Sequence, residues 1–138
     1  MRLIVVGGGI AGLTTARLVA ERDPAVEVTL FSQEPRPYYP RPRLIDVVAS
    51  EATADQIVQY PQPWYAQHHI DARWGRTVKA IQPDAHQIVL DDGAIEGYDR
   101  LVLATGARSW VPPIPGADLD GVCTLRTLDD ALAICARA

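Results

Sequence analysis

Three glycines, at positions 7, 9 and 12, carry the strongest chemical signal in this 138-residue chain. They lie in Leu3-Ile-Val-Val-Gly-Gly-Gly-Ile-Ala-Gly12, where a short apolar, β-branched run precedes G-x-G-x-x-G, and Leu13 to Arg22 then follows helical spacing. A strand, a glycine turn and a helix in that order form a dinucleotide fingerprint. Gly7 allows the tight turn out of the strand, and Gly9 has no Cβ to block a pyrophosphate. Gly12 lets the helix pack closely on the strand. The unpaired N–H groups of the helix's first turn, at the positive end of its dipole, would then face phosphates. The bland alternative is a glycine-rich turn that holds no ligand.

Other residue types could extend such a site. An acid near the end of the second strand holds the adenosine ribose in sites of this class, and here the candidates are Glu34 and its neighbour Gln33. Ser32 directly follows the predicted strand, so the acid comes slightly late, and a solvated loop glutamate is the competing reading. Pro35 to Leu44 carries four prolines, three arginines and two tyrosines. Such a segment should run extended, and its arginines suit a phosphate-bearing planar ligand; a proline-stiffened surface turn is the alternative. His68 and His69 are adjacent, which splays them on a helix and makes a poor metal pair, so both read as an exposed helix end. Cys123 and Cys135 form no C-x-x-C and read as buried or incidental thiols in a reducing cytoplasm. No metal site and no catalytic acid, base or nucleophile stands out.

The elements that must position these residues follow the chain. Leu3–Val6 and Val26–Phe31 are predicted strands flanking a helix over Ile10–Arg22 that stops before Pro24, so residues 1–34 form a βαβ half. Residues 35–69 hold the Pro/Arg-rich loop, a short helix over Leu44–Ala49 and a second opened by Pro63. From Ile70 the apolar period becomes two, and Ile70–Trp74, Val78–Ile81 and Gln87–Leu90 are predicted as a β-meander within residues 70–98. Residues 99–107 form an apolar strand ending in Ala104-Thr-Gly106. A proline-rich linker and a closing helix fill residues 108–138, with Thr127 as N-cap and Asp129 and Asp130 in its first turn. At 48% hydrophobic and 22% charged residues, the composition is that of a globular domain. A net charge of −4 argues against nucleic acid or anionic membrane as a partner, and no apolar run approaches the ~20 residues that span a bilayer. The fingerprint starts so near Met1 that no targeting peptide is expected.

With both glycine motifs placed, the chain resembles the N-terminal FAD domain of the pyridine nucleotide–disulfide oxidoreductase superfamily. The likeness rests on Val5-Val-Gly-Gly-Gly-Ile-Ala-Gly12 and Asp99-Arg-Leu-Val-Leu-Ala-Thr-Gly106, with the meander just before the second motif. It implies an α/β, Rossmann-like FAD-binding domain with a central parallel sheet and an added three-stranded β-meander. Glu34-Pro-x-x-x-Tyr-x-x-Arg-Pro-x-Leu44 is similar to the branch without a redox disulfide, which includes NADH:rubredoxin oxidoreductases, ferredoxin reductases, apoptosis-inducing factor and the flavin part of assimilatory nitrite reductase. Tyr38-Tyr39, Arg41 to Leu44 and Leu128 to Ala131 are most similar to the rubredoxin oxidoreductases.

Carried over residue by residue, the resemblance places Gly7, Gly9, Ala11 and Gly12 at the FAD pyrophosphate, and Gln33 and Glu34 at the adenosine ribose. It sets Arg41 along the diphosphate, the Val78 backbone at the adenine, Ala104, Thr105 and Gly106 along the cofactor path, and Arg126 at the cofactor. Many relatives carry a lysine near the flavin where this chain has Asp46, whose carboxylate would oppose charge on reduced flavin if it pointed inward. Residues 35–60 contain no cysteine, so thiol chemistry there is not expected. A whole enzyme of this kind also needs a second fingerprint for NAD(P)H and a late FAD motif. The chain is therefore expected to be a cytoplasmic fragment, inactive alone, of an NAD(P)H-dependent flavin oxidoreductase that passes electrons to rubredoxin, ferredoxin or a fused redox domain. The alternatives are an NAD-dependent dehydrogenase domain and a non-catalytic module that self-associates through a bared domain interface.

Overall fold

A computed structural model describes all residues from Met1 to Ala138. The chain divides into two compact units, one of residues 1–38 and 60–106, the other of residues 39–59 and 107–138.

The first unit is built on a four-stranded parallel sheet. Strand β1 (Arg2–Val6) lies between β2 (Glu27–Ser32) and β7 (Arg100–Leu103), with β3 (Ile70–Trp74) outside β2. The order β3-β2-β1-β7 puts the reversal of strand order at β1, where open α/β sheets bind ligands at the carboxyl ends. The continuous apolar run of β1 is explained by cover on both faces. Leu3 and Val5 pack with Leu13, Ala16 and Ala20 of helix α1 (Ile10–Arg22). Ile4 and Val6 face the other way, against Phe31, Ile88 and Leu90. Helix α1 ends where expected, ahead of Pro24, with the Asp23 N–H bonded to the Val19 carbonyl at 3.0 Å.

The meander differs from expectation in one strand. It consists of β4 (Val78–Gln82), β5 (Gln87–Leu90) and β6 (Ile95–Gly97), in that order and antiparallel. The predicted first strand, Ile70–Trp74, is β3 and instead pairs parallel with β2, from Val28 against Ile70 to Ser32 against Trp74. Alternating polarity reports a half-buried strand but not the sheet it joins. On β3 the face of Ile70, Ala72 and Trp74 packs on the α1 side, while Arg73 lies over the Phe31 ring and pairs with Glu96 at 2.5 Å.

Just ahead of β3 in the chain, helix α3 (Gln62–Gln67) carries Pro63 in its first turn. Tyr65 is fully buried, and its hydroxyl accepts the Tyr38 N–H at 3.0 Å. His68, expected at an exposed helix end, is half-buried instead: its ring stacks on Trp64 with centroids 3.9 Å apart. The i, i+4 spacing of a helix end brings the two rings together. His69 is exposed, as read.

In the second unit, helix α2 (Leu44–Val48) and helix α4 (Leu128–Cys135) share a core of Leu44, Val47, Ile57, Leu128, Ala131 and Tyr39. Arg41–Arg43 forms one 3-10 turn inside the segment expected to be extended, because Pro42 sits in the first turn, where a missing N–H costs nothing. Thr127 caps α4 as predicted, within a reciprocal capping box with Asp130. The buried Tyr39 hydroxyl accepts the Leu128 N–H at 2.9 Å. Cys123 is exposed, while the Cys135 thiol is half-buried and donates to the Val47 carbonyl at 3.4 Å. No helix is long and apolar enough to cross a membrane, and no cluster of histidine, cysteine and carboxylate side chains could hold a metal ion.

Candidate functional site

The carboxyl ends of the parallel strands gather most of the candidate residues. Gly7 follows β1 with φ +118°, a conformation that strains any residue with a Cβ. Its N–H donates to the Phe31 carbonyl at 2.8 Å, tying the turn to the end of β2. A Cβ on Gly7 would overlap the Ala104 carbonyl, and one on Gly12 would overlap the Gly7 carbonyl and come within 3.3 Å of the Ala104 side chain. Helix α1 therefore begins with its axis pressed against the end of β1. A Cβ on Gly9, by contrast, would have nothing within 4 Å. Packing within the chain does not require glycine there, whereas a ligand's close approach would.

The start of α1 is arranged for an anion. Gly9 is the N-cap and supplies no side-chain cap, and the first turn contains no acid that would compete with a bound phosphate. Ile10 and Ala11 are exposed, so the N–H groups of this turn open toward solvent. The Gly9 carbonyl already accepts the Leu13 N–H at 2.9 Å. On the far side, Ala104 donates to the Val6 carbonyl at 2.8 Å, and Thr105 and Gly106 continue as an exposed rim. Gly7, Gly9, Ala11, Gly12, Ala104, Thr105 and Gly106 are thus gathered around one strand-end cradle.

On the other side of β1, the end of β2 carries Ser32, Gln33 and Glu34. Ser32 is part of the strand and buried, which places exposed Gln33 immediately after it and half-buried Glu34 one residue later. The Glu34 carbonyl accepts the Gly75 N–H at 3.1 Å, and the Ser32 carbonyl accepts the Arg76 N–H at 2.9 Å. These bonds fasten the acid's loop to the end of β3. Val78 turns its side chain into the core beside β5 and stands on an edge strand, which leaves backbone groups on the outer edge without a strand partner.

Sequence reasoning missed Gly8, Ser32 and Trp74 as a group. A Cβ on Gly8 would lie 2.7 Å from Ser32 Oγ and 3.2 Å from Trp74 Cζ3. Gly8, the middle of three consecutive glycines and outside the G-x-G-x-x-G positions, was the available signal.

Arg41 and Arg126 lie in the second unit and interact with one another. The Arg41 guanidinium donates to the Arg126 carbonyl and lies 5.9 Å over the Tyr39 ring, while Arg126 Nε donates to the Ala107 carbonyl at 3.0 Å. Asp130 accepts the Arg126 and Thr127 N–H groups at 2.9 and 2.8 Å. Burial disfavours the charged form of Asp130, but these bonds outweigh it and hold the carboxyl below its ordinary value. Arg126 is therefore anchored at the start of α4 rather than loose in solvent. Asp46 pairs with Arg43 at 2.9 Å, so its carboxylate has a counter-charge on its own helix turn.

A β1–glycine turn–α1 cradle at the switch point of a parallel sheet, beside an acidic loop after β2, defines a dinucleotide-binding α/β domain. The family described as pyridine nucleotide-disulphide oxidoreductase matches residues 1–137, and the chain belongs to it. Its relatives include the assimilatory nitrate reductase electron transfer subunit of Bacillus subtilis, 37% identical over 134 residues that cover 96% of this chain and 17% of that protein. The ferredoxin reductase component of chlorobenzene dioxygenase from Cupriavidus sp. is 37% identical across 95% of this chain and 32% of that protein. Among solved structures, NADH:rubredoxin oxidoreductase from Clostridium acetobutylicum superposes with a TM-score of 0.83 at 26% identity, covering 98% of this chain and 35% of that one. The putidaredoxin reductase of a covalent complex with putidaredoxin matches with a TM-score of 0.83 at 32% identity, over 99% and 34%. The chain spans about a third or less of the length of these relatives.

Proposed function

We propose that this chain is the FAD-binding portion of an NAD(P)H-dependent flavin oxidoreductase that delivers electrons to a small electron-transfer protein or a redox domain. The observation that carries the reading is the strand-end cradle: Gly7 and Gly12 are demanded by packing, while Gly9 borders open space beside an uncapped helix start. Relatives named as a ferredoxin reductase component and an NADH:rubredoxin oxidoreductase support the acceptor class, and membership of the family supports the flavin.

In this reading the N–H groups after Gly9 bind the pyrophosphate and Gln33 and Glu34 hold the adenosine ribose. The Val78 backbone meets the adenine, and Ala104 to Gly106 shape the path toward the flavin. The family resemblance alone assigns Arg41 to the diphosphate and Arg126 to the cofactor. When bound, FAD supplies hydride acceptance from NAD(P)H and one-electron delivery onward, and the protein supplies orientation and electrostatics. No side chain of this chain is assigned a proton-transfer role. Nicotinamide binding is assigned to another domain of a longer cytoplasmic protein, and the 138-residue chain alone is expected to bind FAD weakly and show no turnover with NADH. Equilibrium dialysis against FAD and against NAD tests the assignment through retained flavin absorbance. Retained flavin is expected; NAD affinity without flavin retention would transfer the chain to the plain dehydrogenase class.

A second reading, self-association, is favoured by apolar exposure in the second unit, where Trp110, Ile114 and Leu119 are 78%, 60% and 65% exposed. Sizing chromatography at two concentrations decides it, since a monomer at both counts against it.

A further inference from the structure

The carboxyl end of β3 contains a feature that the family resemblance does not account for. Trp74 stands in register with Ser32, the last residue of β2. Its six-membered ring borders the glycine loop, close enough that a side chain on Gly8 would meet Cζ3 at 3.2 Å and Ser32 Oγ at 2.7 Å. Tyr65 holds the indole edge-on, with centroids 4.9 Å apart and planes 78° apart. The ring is partly exposed, yet its Nε1 is shut from water without a hydrogen-bond partner. A buried donor left unmet is uncommon and calls for an acceptor. Arg76 Nε shares that condition, but Asp91 lies 3.9 Å away and Asp92 pairs with the same guanidinium at 2.5 Å. Trp74 has no such compensation.

The strand order locates the ligand group involved. The pyrophosphate belongs over the end of β1, and the ribose belongs beside the residues after β2. The base, one step further from the phosphates, is then carried outward over β3, where Trp74 sits. We propose that Trp74 contacts the adenosine half of the bound dinucleotide, walling its pocket together with Gly8 and Ser32. The six-membered ring supplies that contact, since its Cζ3 edge is the part of the indole that faces Gly8 and Ser32. This rests on the FAD reading above and adds a residue that distinguishes adenosine from bare phosphate.

The test uses the whole chain with AMP, FAD and inorganic pyrophosphate as probes. In Trp74→Leu, affinity for AMP should fall about tenfold, within the range that base–aromatic contact contributes. Affinity for pyrophosphate should stay within about twofold of the parent, since the glycine cradle is untouched. Trp74→Phe should recover part of the loss. If Trp74→Leu does not fold, the parent chain decides: the Trp74 indole N–H resonance should move on saturation with AMP. AMP binding that leaves that resonance, or the variant's affinity, unchanged overturns the inference alone. Failure of the parent chain to bind AMP and FAD overturns the FAD reading and this inference with it.

Discussion

Replacing Gly12 by alanine should destabilise the fold, although alanine is ordinarily the better helix residue by about 1 kcal/mol. Gly12 lies in the first turn of α1 and is buried. The added Cβ would overlap the Gly7 carbonyl oxygen and sit 3.1 Å from its carbon. Both obstacles are backbone, so neither can rotate aside. The helix must shift away from β1 and its packing against Leu3 and Val5 must open. Overpacking of this kind costs about 1–3 kcal/mol or more, which outweighs the propensity gain. A net loss of up to about 2 kcal/mol, the top of that range less the propensity gain, should appear in urea unfolding as a lower midpoint at an unchanged slope. Gly9→Ala is the matched control. Its φ of −77° suits alanine and nothing lies within 4 Å, so stability should change by less than about 1 kcal/mol. FAD affinity should nevertheless fall, because the methyl group enters the space assigned to the pyrophosphate. A Gly12→Ala protein as stable as the parent would refute the packing argument.

Three further outcomes follow from the same contacts. Burial disfavours the Glu96 carboxylate, but hydrogen bonds from Arg2 and Arg73 outweigh it, so its folded pKa lies below the ordinary value. The unfolded chain then binds more protons, so this contribution is present above the unfolded pKa of about 4.5 and is lost as pH falls through the folded value. Glu96→Gln should flatten the acid limb of a stability–pH curve, and a curve parallel to the parent's would exclude Glu96 as its source. Thr127→Ala removes the cap of α4 and should cost about 1 kcal/mol, read as a fall in thermal midpoint of a few degrees. Tyr39→Phe strips the buried Leu128 N–H of its acceptor and should cost about 1–3 kcal/mol in urea unfolding, with no loss if the N–H finds another partner.

What could be read from the residues depended on whether local order determined the outcome. Helix α1 was legible from end to end because Gly9 and Pro24 bound it on either side. The separate duties of Gly7, Gly9 and Gly12 were legible because a strand, a turn and a helix leave little geometric choice. The sheet membership of Ile70–Trp74 was not, since it depends on Phe31 and Ser32, some forty residues away in the chain. That misplacement also hid Trp74, which reaches Gly8 only once β3 lies beside β2. The anchoring of Arg126 was likewise invisible, because it depends on the Ala107 carbonyl and on Asp130 at the start of α4. The 3-10 turn at Arg41–Arg43 shows the same limit on a smaller scale, because a proline-rich composition did not exclude a single tight turn.

The central claim is that the strand-end cradle around Gly9 holds FAD. Equilibrium dialysis of the parent chain and Gly9→Ala, side by side against FAD, tests it most directly. The account predicts retained flavin on the parent and at least about tenfold weaker retention on the variant, with both proteins equally folded. Equal retention by the two, or none by the parent, would contradict it.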